Sequence, residues 1–264
     1  MQFLSSIPLV VTSALVIFSP LQEGGTTHVA QMIIRFLILA WAGGALALSI
    51  RQGRLTIPLL SVRYFVLVFL GFAVIATMFS PYAHPSRQWL FTIICYATLF
   101  YLLVSFVDRW EHVHTLTIVV VLMGVGEAAL TILQGLVWND MRPSGTFFNP
   151  NFLAGYLAVS WAILLSAAVY GYRRTAALHW LPISPTLWWF GVGASLGSLF
   201  LAVLLTQSRG GMIVVLVATV FIVMARYGWK VAGSCLVLLM VGGLLIPTPL
   251  RERVQAEHQQ NPVS

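Results

Sequence analysis

From Thr115 to Trp138 the chain carries a single charge, Glu127, in a run otherwise free of ionisable groups. A helix needs about 20 apolar residues to cross the hydrocarbon layer of a bilayer. This run meets that length, and eight others resemble it, at roughly 3–19, 29–50, 56–79, 89–107, 152–170, 186–206, 211–225 and 231–247. The links between them are short and polar. Hydrophobic residues make up 59% of the chain and charged residues 8%, whereas a soluble domain carries about 25% charged residues. One globular core could not hide so much apolar surface, so a bilayer must serve as solvent. The fold expected is an all-α bundle of about nine transmembrane helices over 1–247, followed by a polar segment, 248–264.

Basic residues set the expected orientation. Even-numbered links and their edges hold Arg51, Arg54, Arg63, Arg109, Arg173, Arg174, Arg226 and Lys230, while odd-numbered links hold Arg87, Arg142 and Arg209. Eight against three places the even links and the N-terminus in the cytoplasm. Segment 248–264 then begins a loop or tail on the far side, the periplasm of a Gram-negative cell. The basic residues are scattered singly, so the net charge of +7 is not a nucleic-acid footprint. Cys95 and Cys235 both sit in apolar runs and read as small buried hydrophobes. Zinc-ligand spacing is absent. The first run lacks a basic leader and a small-residue cleavage site, so it is expected to be a span.

Two polar turns interrupt the apolar pattern at a membrane edge. The first is Gly145-Thr-Phe-Phe-Asn-Pro-Asn-Phe-Leu-Ala-Gly155, and the second is Leu205-Thr-Gln-Ser-Arg-Gly-Gly211. Polar backbone at that depth is tolerated where protein or a water-filled cavity surrounds it. The two turns are therefore expected to share one polar pocket. Arg209 is its leading candidate, because a guanidinium offers a planar fork of donors suited to phosphate. Ser208 and Gly210 flank it, and the following span offers a helix N-terminus to an anion. The bland alternative is an arginine that snorkels to lipid headgroups. Asn149 and Asn151 read as a helix cap, with spare donors for a sugar or pyrophosphate. Arg142, Arg87 and His84 lie on the same expected side and are candidate contacts for an anionic ligand.

Glu127 sits mid-span, where an ionisable group is a functional candidate by default. Arg35 lies inside the second span, and the two are candidates for a structural pair. A proton relay through Glu127 would instead imply a transporter. His112 and His114, with Asp108 and Glu111, imitate a metal cluster but read as a solvated cytoplasmic link. Trp89, Trp110, Trp188, Trp189 and Trp229 fall near span ends and read as interfacial anchors. Walker, Gly-x-Ser-x-Gly and His-Glu-x-x-His motifs are missing. No metal or nucleotide cofactor is expected, and a donor reached from within the membrane fits better.

In this order, the two turns resemble the O-antigen ligase family, whose superfamily also holds O-antigen polymerases. Members show a Gly-Thr-Phe-x-Asn-Pro-Asn-Phe-Leu-Ala-type segment opening a span, and later a Leu-Thr-x-Ser-Arg-Gly segment. The similarity runs from about the third span to Arg253. It implies a bacterial inner-membrane glycosyltransferase that moves a glycan from undecaprenyl diphosphate to a lipid or glycan acceptor in the periplasm, without metal or nucleotide. It also implies that Arg209 binds the donor diphosphate. Arg251 and Arg253 match the family's Pro-Leu-Arg-x-Arg-Val entry to a periplasmic loop and are further candidate donor contacts. The family continues with an arginine beside a tryptophan, a histidine needed for transfer and about three more spans. This sequence stops at Ser264, and His258 lacks the family's histidine context. An incomplete enzyme with little transferase activity alone is therefore expected. The rival expectations are an inorganic-anion (bicarbonate-type) transporter and a non-catalytic subunit of polysaccharide assembly.

Overall fold

The computed structural model describes residues 2–51, 63–107, 109–171 and 184–231, with 233, 234 and 237. These form eight α-helices, and no strand occurs among them. The helices are α1 (Gln2–Leu21), α2 (His28–Arg51), α3 (Arg63–Met78), α4 (Ala83–Phe106), α5 (Trp110–Leu136), α6 (Pro150–Ser166), α7 (Pro185–Leu205) and α8 (Arg209–Tyr227). A π-turn, Ala167–Gly171, extends α6. Six helices are long and apolar enough to cross a membrane, α2 and α4 to α8. Apolar stretches of α1 (Pro8–Leu21) and α3 (Tyr64–Met78) are shorter. The chain is thus a multi-pass membrane protein. Most of the ninth expected span, 231–247, lies outside the described residues, as do 52–62 at the start of the third.

The surface confirms which solvent these helices meet. On α3, Phe65 is 77% exposed, and Val68, Phe69 and Phe72 follow it outward. On α8, Ile213, Val217, Phe221 and Met224 recur at helical spacing on an exposed face. Apolar faces this large on a soluble monomer would drive association, whereas lipid tails accept them at no cost.

Two compact units divide the chain, Met1–Leu116 and Thr117–Ser264. In the first, α1, α2 and α4 bury Leu15, Ile34, Ile38 and Cys95 together, and α3 packs on α4. Both α4 and α5 begin earlier than hydropathy indicates. Ala83 to Gln88 and Trp110 to His114 are rich in polar and aromatic residues, yet helical, because a helix can leave the hydrocarbon and continue in the headgroup layer. His112 and His114 therefore ride on a helix, not in a link, and no metal-holding cluster occurs among the described residues.

In the second unit α6 is central. Leu153, Leu157, Ala158, Trp161 and Leu164 line its buried face, against Val192, Leu199, Ala202 and Val203 of α7 and Val215 of α8. Lipid gives helices no hydrophobic reason to associate, so close contact and interhelical hydrogen bonds must hold them. Both are present. Trp161 Nε1 donates to Thr219 Oγ1 of α8 at 2.9 Å. Gly211 of α8 lies so near Ala154 of α6 that an added Cβ would stand 2.6 Å from the alanine methyl. Gly210, one residue earlier, has open space where its Cβ would be. Gly211→Ala should therefore cost about 1–3 kcal/mol through overpacking, while Gly210→Ala leaves stability unchanged or raised. Thermal unfolding of the two variants in mild detergent checks this, and equal melting temperatures would exclude the close α6–α8 contact.

Candidate functional site

The two polar turns meet at one end of the second unit, as the sequence predicts, and the contacts that join them can be built up from α5. Glu127 is 3% exposed. Its Oε1 accepts from Thr146 Oγ1 at 2.6 Å and its Oε2 from the Thr146 N–H at 3.0 Å. Gln134 stands two helical turns further along the same face. Its Nε2 donates to the Gly145 carbonyl at 2.9 Å, and its Oε1 accepts from the Gly145 N–H at 2.7 Å. One helix thus satisfies two successive residues of the loop joining α5 to α6, where water is scarce. Gly145 has φ +61°, and a Cβ there would stand 2.5 Å from Glu127 Oε2. Only glycine fits this clamp.

Beyond the clamp, Asn149 caps α6. Its Oδ1 accepts from the Asn151 N–H at 2.8 Å, and Pro150 occupies the first turn. Ser208 caps α8 in the same way, accepting from the Gly211 N–H at 3.3 Å. Between α7 and α8, Gln207 adopts φ +54°, a left-handed conformation costly for a residue with a side chain. Its Nε2 donates to the Met141 carbonyl at 2.9 Å, which ties the second turn to the first. Arg142 completes the link. Its Nε donates to the Thr206 carbonyl at 3.2 Å, and its Nη2 donates to Asn151 Oδ1 at 2.9 Å. The Thr206 carbonyl lies at the electronegative end of α7, where a cation is favoured.

These contacts shape an open groove of about 530 Å³. Arg142, Asn151 and Gly155 line one side, Gln207 to Gly211 and Val214 the other. Arg209 is exposed there, and its guanidinium makes no hydrogen bond or ion pair among the described residues. The first N–H groups of a helix have no partner within it. Ser208 takes that of Gly211, which leaves those of Arg209 and Gly210 for an occupant of the groove. The lining therefore presents two guanidinium groups and a helix start, and it includes no Asp, Glu or His among the described residues. Such a lining favours an anion and supplies no general base.

The expected site residues divide clearly. Arg142, Asn151, Ser208, Arg209 and Gly210 share the groove. Asn149 is not part of its lining, because its side-chain oxygen is held in the cap. Glu127 is also outside the lining and anchors the loop. Of the expected Arg35–Glu127 pair, each member has partners in its own unit: Arg35 bonds Gln31 and Thr92, and Glu127 bonds Thr146. Arg251 and Arg253 lie outside the described residues. Gln134, Gln207 and Gly155 are contributions the sequence left unread. Spacing offered a signal for two of them, since Gln134 follows Glu127 by seven residues and Gly155 follows Asn151 by four. No known protein-family model, curated protein or solved structure matches the chain.

Removing the clamp tests the construction of the groove. Glu127→Ala removes both carboxylate contacts to Thr146 and should cost about 1–3 kcal/mol. Gln134→Ala should cost a similar amount. The two losses should not add, because both residues hold the same stretch of loop. A double-mutant cycle on unfolding in detergent measures this, and strict additivity would mean that the two bonds act on separate structures.

Proposed function

We propose that the groove seats the diphosphate of a lipid-linked glycan, and that this chain supplies the donor-binding part of an O-antigen ligase or polymerase-like glycosyltransferase of the bacterial inner membrane. One observation carries the reading. Arg142 and Arg209, from turns more than sixty residues apart, converge with the start of α8 on one groove that lacks a carboxylate. A diphosphate needs several donors and a positive field at the membrane surface, and this groove offers both. In the proposed reaction an acceptor hydroxyl oxygen bonds to the anomeric carbon as the carbon–oxygen bond to the diphosphate breaks. The bonding pair leaves on the diphosphate, where the two guanidinium groups stabilise the growing charge. The acceptor's proton passes to a base, and the groove lining holds none among the described residues. The groove is therefore the seat of the donor, and the acceptor side of the reaction lies elsewhere.

The engagement of Glu127 weighs against the transporter reading. Both of its oxygens are held by Thr146, which suits an anchor better than a relay. The distribution of basic residues supports a cytoplasmic N-terminus, and in this reading the groove faces the periplasm.

Two measurements test this reading. Undecaprenyl diphosphate should raise the melting temperature of the protein in nanodiscs, and Arg209→Ala should weaken that binding at least about tenfold, the loss expected for a charge-assisted contact. Equal binding by the variant would remove Arg209 from the seat. For orientation, Trp138→Cys in a cysteine-free background should react with an impermeant maleimide in intact cells, while Trp229→Cys should react only after the membrane is opened. The opposite pattern would invert the topology and move the groove to the cytoplasm.

A further inference from the structure

In the first unit, Arg35 carries a charge with no counter-charge among the described residues. It stands seven residues inside α2, a helix of 24 residues. At 1.5 Å per residue its Cα is about 7 Å from the helix midpoint, within a hydrocarbon layer about 30 Å thick, and its side chain reaches back to Gln31, toward the edge of that layer. Its Nη2 donates to Gln31 Oε1 at 2.9 Å and to Thr92 Oγ1 of α4 at 2.6 Å. Phe91 faces the guanidinium, with its ring centroid 5.7 Å from the central carbon. Every one of these neighbours is neutral. Nε is buried without a partner, and Nη1 has none among the described residues. No carboxylate pairs with Arg35 among those residues.

A permanent charge at that depth is costly unless a counter-charge reaches it. Gln31 and Thr92 hold the fork in place between α2 and α4 and leave donors unused. Met32 and Phe36, near Arg35 along α2, and Phe91 and Ile94 of α4 are exposed, an apolar surface suited to acyl chains. We propose that Arg35 binds the phosphate of an anionic phospholipid whose acyl chains lie along this α2–α4 surface. A lipid is the source that fits, because it brings the phosphate and the chains together. The site lies in a different unit from the groove and does not depend on the donor reading.

The test uses the full chain in nanodiscs of phosphatidylcholine with a graded fraction of phosphatidylglycerol. Lipid retained after extraction is counted by native mass spectrometry for wild type, Arg35→Gln and Arg226→Gln, the last an exposed arginine at the end of α8. Wild type and Arg226→Gln should retain phosphatidylglycerol in preference to phosphatidylcholine, and Arg35→Gln should lose that preference by at least about tenfold. Equal retention by Arg35→Gln, or no preference in wild type, overturns the site. Should Arg35→Gln fail to insert, Thr92→Val keeps the charge while removing the acceptor that aims it. Reduced retention by Thr92→Val supports the site, and unchanged retention overturns it. Inorganic phosphate that raises the melting temperature in pure phosphatidylcholine as much as phosphatidylglycerol does would overturn the lipid as the source.

Discussion

The carboxylate of Glu127 against the Thr146 backbone is the interaction on which the second unit depends. A bilayer offers its embedded loops almost no water, so each N–H and carbonyl must find a partner in protein. The stretch between α5 and α6 meets this demand from α5 itself, through Glu127 and Gln134. With Gly145 and Thr146 fixed, the loop can neither drift outward nor turn its polar groups to lipid. Its earlier part then passes beside the end of α7, where Met141 and Arg142 take their partners. Its later part enters α6 through the Asn149 cap. A charged residue near the middle of a span is thus explained by the loop it holds.

Much of this was legible in the sequence, for identifiable reasons. Apolar runs reveal spans because length and hydropathy are properties of the residues alone. Asn-Pro-Asn reveals a cap because its geometry is local. Helix starts were less legible. His84 to Arg87 and Trp110 to His114 interrupt the hydropathy without interrupting the helix. The role of Glu127 was not legible at all, since its partner lies 19 residues away on a loop with no regular period. The two asparagines looked equivalent, and tertiary contact separates them. Asn149 turns its oxygen back to the chain, while Asn151 meets an arginine from the preceding loop.

Three arginines meet three different fates in this protein, and the contrast bears on function. Arg142 is tied to the Thr206 carbonyl and to Asn151, so its position is set before any ligand arrives. Arg35 is tied to neutral groups and lacks a counter-charge among the described residues. Arg209 is exposed and free of such ties. An anion entering the groove would meet one guanidinium already in place, which lowers the entropy lost on binding. It would meet a second, Arg209, whose donors are not used by other described residues. A held cation and an exposed one with unused donors, at a helix start, are consistent with the extended polyanion proposed above. A small ion would need one rigid cage. Under the donor-seat proposal, a lipid diphosphate enters from the bilayer and later leaves, and the groove is open enough for both.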